Sequence, residues 1–162
     1  MIKRFFLLPL LLLLFSCDKE GVVSNNPAFQ SLKNEVFWRA ANYSASIDSV
    51  GKLTIIGSLN YDKVILQTAS VNVKTYTLGI DDVSTATYVN TLPKQETIYK
   101  TGTQIGNGQI IITEYNKVAH TVSGTFAFVA PNNVDVFAVD KSIRFKEGVF
   151  YKVPITLVNS SN

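Results

Sequence analysis

Lys52-Leu53-Thr54-Ile55-Ile56-Gly57-Ser58-Leu59-Asn60 decides the fold class. Leu53, Ile55, Gly57 and Leu59 fall on one face, and Thr54, Ile56, Ser58 and Asn60 on the other. Successive side chains of an extended chain point to opposite sides, so this two-residue period is that of a strand with one face buried. Past the turn residues Asn60-Tyr61-Asp62, the run Val64-Ile65-Leu66-Gln67 continues it. The same reading predicts strands over 74–79, 87–91, 96–101, 109–116, 121–130, 134–139, 142–146 and 149–157. Between them stand turn signals: Ser49-Val50-Gly51, Asn72, Gly79-Ile80-Asp81-Asp82, Gly106-Asn107-Gly108, Asn116-Lys117, Pro131-Asn132-Asn133 and Glu147-Gly148. Glycine and asparagine serve there because they tolerate positive φ. No segment sustains a helical period, and there is no internal repeat or low-complexity tract. Many short strands with short links predict an all-β domain, an antiparallel sandwich or flattened barrel of about 8–10 strands.

Ahead of that domain the composition changes. Lys3-Arg4, the apolar run Phe5 to Phe15 and the small Ser16 form the three parts of a secretory signal peptide. As a helix the run covers roughly 16 Å, against the ~30 Å of a hydrocarbon core, and Pro9 interrupts it, so it is too short for a membrane span. Cys17, the single cysteine of the chain, follows Leu14-Phe15-Ser16 directly. This arrangement resembles the lipobox of bacterial lipoproteins, which implies cleavage between Ser16 and Cys17 and fatty acylation of Cys17. Two or more acyl chains give a stable anchor, since each buried CH₂ contributes about 0.8 kcal/mol. The expected organisation is a signal peptide over 1–16, a lipidated N-terminus and flexible tether over 17–28, one β-domain over 29–158 and a polar tail over 159–162. If flexible, the ten or so residues after Cys17 span roughly 17 Å.

Charge and length narrow the function classes. The formal charge is +3, from 15 Lys and Arg against 12 Asp and Glu; losing Lys3 and Arg4 brings the balance to 13 against 12. A nucleic-acid binder needs a clustered basic face to neutralise several phosphates, whereas these basic residues are spread singly. With Cys17 lipidated, no thiol is left for a disulfide, so the fold must stand on packing; 10 Phe, 7 Tyr and 1 Trp supply the means.

The order of these segments resembles a family of small Bacteroidota lipoproteins with an all-β domain of unknown function. Trp38-Arg39-Ala40, Gly51-Lys52-Leu53-Thr54-Ile55-Ile56-Gly57, Tyr76-Thr77-Leu78-Gly79 and Ala86-Thr87-Tyr88 carry the likeness. So do Gly108-Gln109-Ile110-Ile111-Ile112-Thr113, Val122-Ser123-Gly124-Thr125-Phe126-Ala127-Phe128 and Glu147-Gly148-Val149-Phe150. It runs from about Asn34 to Ile155. Asn34-Glu35 stands where such proteins tend to have Asn-Gly, and Lys146-Glu147 where Thr-Asn or Thr-Asp is usual. The resemblance implies the fold and brings no activity. Asp18-Lys19-Glu20 resembles the charged export signals of surface lipoproteins in that group, which implies surface display on the outer membrane rather than its periplasmic face.

No catalytic, metal or cofactor signature stands out. His120 is the only histidine, lies just past a hairpin turn and lacks a Gly-x-Ser-x-Gly elbow, so it reads as an exposed hairpin residue. One imidazole without a second His or Cys cannot make a zinc site. Asp81-Asp82, with Asp62 and Asp135 elsewhere, lack the spacing that six or more calcium-binding oxygens require. Glu114 follows Ile110 and Ile112 on one predicted face, an odd place for an acid, but glycoside hydrolysis needs a second carboxylate roughly 5 to 9 Å away. Gly106-Asn107-Gly108 lacks the third glycine and helix of a dinucleotide loop and reads as a hairpin turn. Trp38 reads as a core plug rather than a sugar platform. Asp48-Ser49-Val50 matches a short Asp-Ser/Thr-aliphatic O-glycosylation pattern, frequent by chance, which makes Ser49 an acceptor candidate.

The expectation is a non-enzymatic envelope protein anchored in the membrane through Cys17. Its β-domain binds an envelope or extracellular protein or glycan, without a cofactor. A carrier of a small apolar ligand is the alternative, with Phe126, Phe128, Leu53, Ile55 and Tyr76 lining a cavity. A hydrolase, built from Glu114, His120 and Asp81 in one cleft, is the third.

Overall fold

A computed structural model of the chain describes residues 26, 28–132 and 140–157. The expected signal peptide, Ser16, Cys17, most of the tether, the strand expected over 134–139, Asp135 and the polar tail lie outside the described residues.

The described chain is all-β: β1 (Ala28–Lys33), β2 (Val36–Arg39), β3 (Asn42–Ile47), β4 (Leu53–Leu59), β5 (Asp62–Thr68), β6 (Thr75–Leu78), β7 (Thr85–Asn90), β8 (Thr97–Lys100), β9 (Asn107–Asn116), β10 (Thr121–Pro131) and β11 (Ser142–Leu157). These eleven strands slightly exceed the number expected. They follow the order β6-β9-β10-β11-β3-β4-β5-β7-β8, with the β1–β2 hairpin joined to the other side of β11. The sheet curls into a half-barrel. Its β8 edge returns to the end of β10 through a bridge between Tyr99 and Asn132. Every strand pair is antiparallel except β11–β3, where Ile155, Thr156 and Leu157 run parallel to Ala45, Ser46 and Ile47.

Three strands escaped the sequence pattern. The inward face of β1 carries Phe29, then the polar Ser31, whose hydroxyl donates to the Lys146 carbonyl at 2.9 Å. A buried serine with a backbone partner breaks the apolar alternation without breaking the strand. β2 has four residues and β3 reads Asn-Tyr-Ser-Ala-Ser-Ile, both too short or too polar to signal a period. Asn34 and Glu35 close the β1–β2 hairpin with φ of 47° and 68°. Both central residues of a type I′ turn need positive φ, which is why Asn-Gly is preferred there and why Glu35 bears strain.

The Glu147-Gly148 turn signal is corrected: it sits inside β11. That strand buries Ile143, Phe145, Gly148, Phe150 and Val153, stepping by three rather than two after Phe145 and after Phe150. At both places β11 carries one residue more than β10, and Glu147 (φ 51°) and Lys152 (φ 49°) adopt positive φ. These are β-bulges, and they let one 16-residue strand bend from β10 towards β3. A third bulge, at Thr113 of β9, shifts the pairing between Ser123 and Gly124. Gly106-Asn107-Gly108 also differs from its reading, since β9 begins at Asn107 and pairs with β6 and β10 instead of β8.

The core is aromatic. Phe145 stacks on Phe128 at 4.8 Å and 19° and meets Trp38, Tyr88 and Phe126 at 5.7 to 6.4 Å. Gly57 belongs to the face of Leu53 and Ile55 and has no side chain because Phe29 occupies its space: a Cβ there would come 2.7 Å from the ring. Leu53, Ile55, Tyr76, Phe126 and Phe128 are 0–5% exposed members of this single cluster. They fill a core, so the cavity expected of an apolar-ligand carrier is not built from them.

Candidate functional site

At one end of the half-barrel the inward faces change from apolar to polar. Register places Val64, Tyr88 and Tyr99 side by side on β5, β7 and β8, and two residues further Asp62, Asn90 and Thr97. On β1 the same change runs from Phe29 through Ser31 to Lys33. Around this row opens a cleft of about 540 Å³, a volume usual for small-molecule sites. Lys33, Tyr88, Tyr99 and Ile143 line it, together with Asn34, Asn90, Gln95, Thr97, Asp140 and Ser142.

The floor is cross-linked. The Lys33 ammonium pairs with Asp62 Oδ2 and lies over the Tyr88 ring, 5.1 Å from its centre. The Tyr88 hydroxyl donates to Asp62 Oδ1 at 2.6 Å. Burial first, then this bond to Asp62, push the Tyr88 hydroxyl far above the usual tyrosine range. Tyr99 is raised as well, by burial and by the Asp140 charge, and its hydroxyl donates to the Asp140 carbonyl at 3.1 Å. Both phenols are therefore neutral donors at pH 7.

Local turns set the rim. Asn34 exchanges two bonds with the Arg144 backbone: its N–H donates to the carbonyl, and its side-chain oxygen accepts from the N–H, both at 2.9 Å. Between β7 and β8, Leu92-Pro93-Lys94-Gln95 closes with Gln95 N–H donating to the Leu92 carbonyl at 2.9 Å and Lys94 at φ 68°. Proline second and positive φ third describe a type II turn. Asn90 Oδ1 accepts from Leu92 N–H at 2.7 Å and holds the turn against the strand.

The sequence candidates lie elsewhere. Trp38 is 3% exposed and edge-on to Phe29 and Phe145, so it is core and offers no sugar platform. Glu114 is exposed, because the Thr113 bulge removes it from the face of Ile110 and Ile112. His120 is exposed next to the β9–β10 turn at φ 50°. Asp81 accepts from the N–H groups of Val83 and Ser84 at 2.9 Å, while Asp82 accepts from the Thr103 hydroxyl at 2.9 Å, which holds its carboxyl below the usual range. These two aspartates tie loops. Leu78 pairs with Gly108 at the start of β9, whereas Glu114 lies six residues along it, roughly 20 Å away. Asp81 and Glu114 therefore stand at opposite ends of the sheet, and the hydrolase trio does not assemble. Among the described residues no group of three His, Cys, Asp or Glu side chains is placed to hold a metal ion. Ser49 is exposed in the β3–β4 loop, where Asp48 Oδ1 accepts from the N–H groups of Val50 and Lys52 at 3.0 and 2.8 Å.

A family model described as a domain of unknown function, DUF6252, matches residues 25–154. The chain belongs to this family. The matched stretch takes in every strand, ending inside β11, and includes the whole cleft. No curated protein and no solved structure gave a match.

Of the residues lining the cleft, Asn34 drew notice in the sequence only as part of a turn and Tyr88 only within Ala86-Thr87-Tyr88, while Asp62, which pairs with Lys33 beneath it, was noted as a turn residue and a calcium candidate. A usable signal existed: Asp62-x-Val64-x-Leu66 puts an acid at the head of an apolar face, as Phe29-x-Ser31-x-Lys33 puts a base.

Proposed function

We propose that this protein is a bacterial lipoprotein, anchored in the outer membrane through acylated Cys17, whose β-domain is a non-enzymatic binding module facing outward from the cell. The observation that carries the reading is the Lys3-Arg4, Phe5 to Phe15, Ser16-Cys17 sequence, which supplies charge, apolar run, small residue and thiol in the order lipidation needs. Membership of a family without a known activity is compatible with this reading, and so is the lipoprotein resemblance in Bacteroidota. The binding role rests on the polar cleft. The chain enters the domain at Ala28, and Lys33, at the far end of β1, lines the cleft roughly 17 Å further on. The cleft is thus clear of the point where the chain enters the domain, which supports access for a ligand.

Metabolic labelling with a clickable fatty acid tests the anchor. The wild-type chain takes up label and fractionates with membranes, while Cys17→Ala loses the label and leaves the membrane fraction. Unchanged labelling of Cys17→Ala refutes the reading. Protease treatment of intact cells then reports the face, with digestion of the domain expected for surface display.

A further inference from the structure

We propose that the cleft binds an uncharged, polyhydroxylated ligand, a saccharide. The proposal rests on the binding-module reading and adds the ligand class. Charge is the first argument. Among the described residues the one cation lining the cleft, Lys33, is already neutralised by Asp62 and laid on the Tyr88 ring. No second cation among the described residues lines it, and Asp140 adds a negative charge at the rim, so a phosphate or carboxylate ligand would meet repulsion without a partner.

Polarity is the second. Ile143 is the sole aliphatic side chain that the described residues bring to the lining, and it is 5% exposed. An apolar ligand, or a peptide needing an apolar anchor, would gain little buried area here. What the lining does present is amides and hydroxyls: Gln95 and Ser142 are exposed at the rim, and Asn90 and Thr97 are half-buried in the polar row. An amide both donates and accepts, and a hydroxyl does the same, which matches the alternating donors and acceptors around a sugar ring. Register sets Asn90 opposite Thr97 on β7 and β8, so these two groups need little ordering when the ligand arrives.

The test uses the full chain in detergent on two arrays, one of neutral and acidic oligosaccharides and one of peptides. Wild type is compared with Gln95→Ala, Thr97→Val and, as a control on the β9–β10 turn, Val118→Ala. Circular dichroism and unfolding midpoints confirm that each variant folds. The expected result is binding of neutral saccharides, weakened about tenfold by Gln95→Ala and by Thr97→Val, the loss of one hydrogen bond each, and unchanged by Val118→Ala. Peptide binding that the two cleft substitutions weaken, without saccharide binding, overturns the ligand class and leaves the binding module standing. Preference for acidic saccharides overturns the charge argument. Absence of binding on both arrays, or binding indifferent to the cleft substitutions, overturns the ligand class and the cleft together. The anchor is judged separately, by labelling.

Discussion

Two neighbouring rows of the same curled sheet do different work. Val64, Tyr88 and Tyr99 point inward and join an aromatic centre in which Phe145 touches four other rings. Two residues along the same strands, Asn90 and Thr97 line a cleft of about 540 Å³, and Asp62 binds the Lys33 and Tyr88 side chains that line it too. The first row excludes water and holds the curl. The second is held in place by the first, through Tyr88, whose ring belongs to the centre and whose hydroxyl reaches Asp62. The difference teaches that this domain's packed centre and its polar cleft are separated by a step of one strand repeat.

The comparison breaks most visibly at Phe145. Phe145→Ala leaves a void among Trp38, Tyr88, Phe126 and Phe128 and should cost about 3–5 kcal/mol in denaturant unfolding. A loss under about 1 kcal/mol would mean the centre is not close-packed.

Tyr88→Phe sharpens it, because the ring stays and only the link to the polar row goes. The expected cost is about 2 kcal/mol at pH 7, the range for a hydrogen bond to a charged acceptor. A pH series adds a signature. The folded-state pKa of Tyr88 is raised above its unfolded value of about 10, so its contribution is fully present below that pH and is lost as pH rises towards the folded value. The wild type should therefore weaken above about pH 10 more steeply than Tyr88→Phe. Tyr99, shifted in the same direction, keeps part of the slope in both proteins.

Glu35→Gly gives the smallest effect. It relieves a left-handed backbone at φ 68° and removes an exposed pair with Lys146 at 2.7 Å. Exposed pairs contribute little, so the urea midpoint should rise slightly. A fall would show that the Glu35–Lys146 pair matters to the hairpin beside the cleft.

Legibility in the sequence followed the same boundary. The strands of the packed centre announced themselves wherever the buried face was continuous, as in Leu53, Ile55 and Gly57 or in Val122, Gly124, Phe126 and Phe128. Bulges erased the signal where they changed the period: β11 read as two strands and a turn, and Glu114 read as sharing a buried face. The cleft was not legible because its side chains meet through tertiary pairing, Tyr88 with Asp62 across the β5–β7 pair over 26 positions and Lys33 with Asp62 only through the curl over 29. The lipidation proposed at Cys17 rests on a different kind of signal, a contiguous run of residues that needs no fold to be recognised.

The contrast between a filled centre and an open polar end is tested most directly by titrating the folded protein with a fluorescent fatty acid. The account predicts no saturable binding, because Leu53, Ile55, Tyr76, Phe126 and Phe128 already occupy the interior. Saturable one-to-one binding that Leu53→Trp abolishes would contradict it, and would make the interior a ligand site.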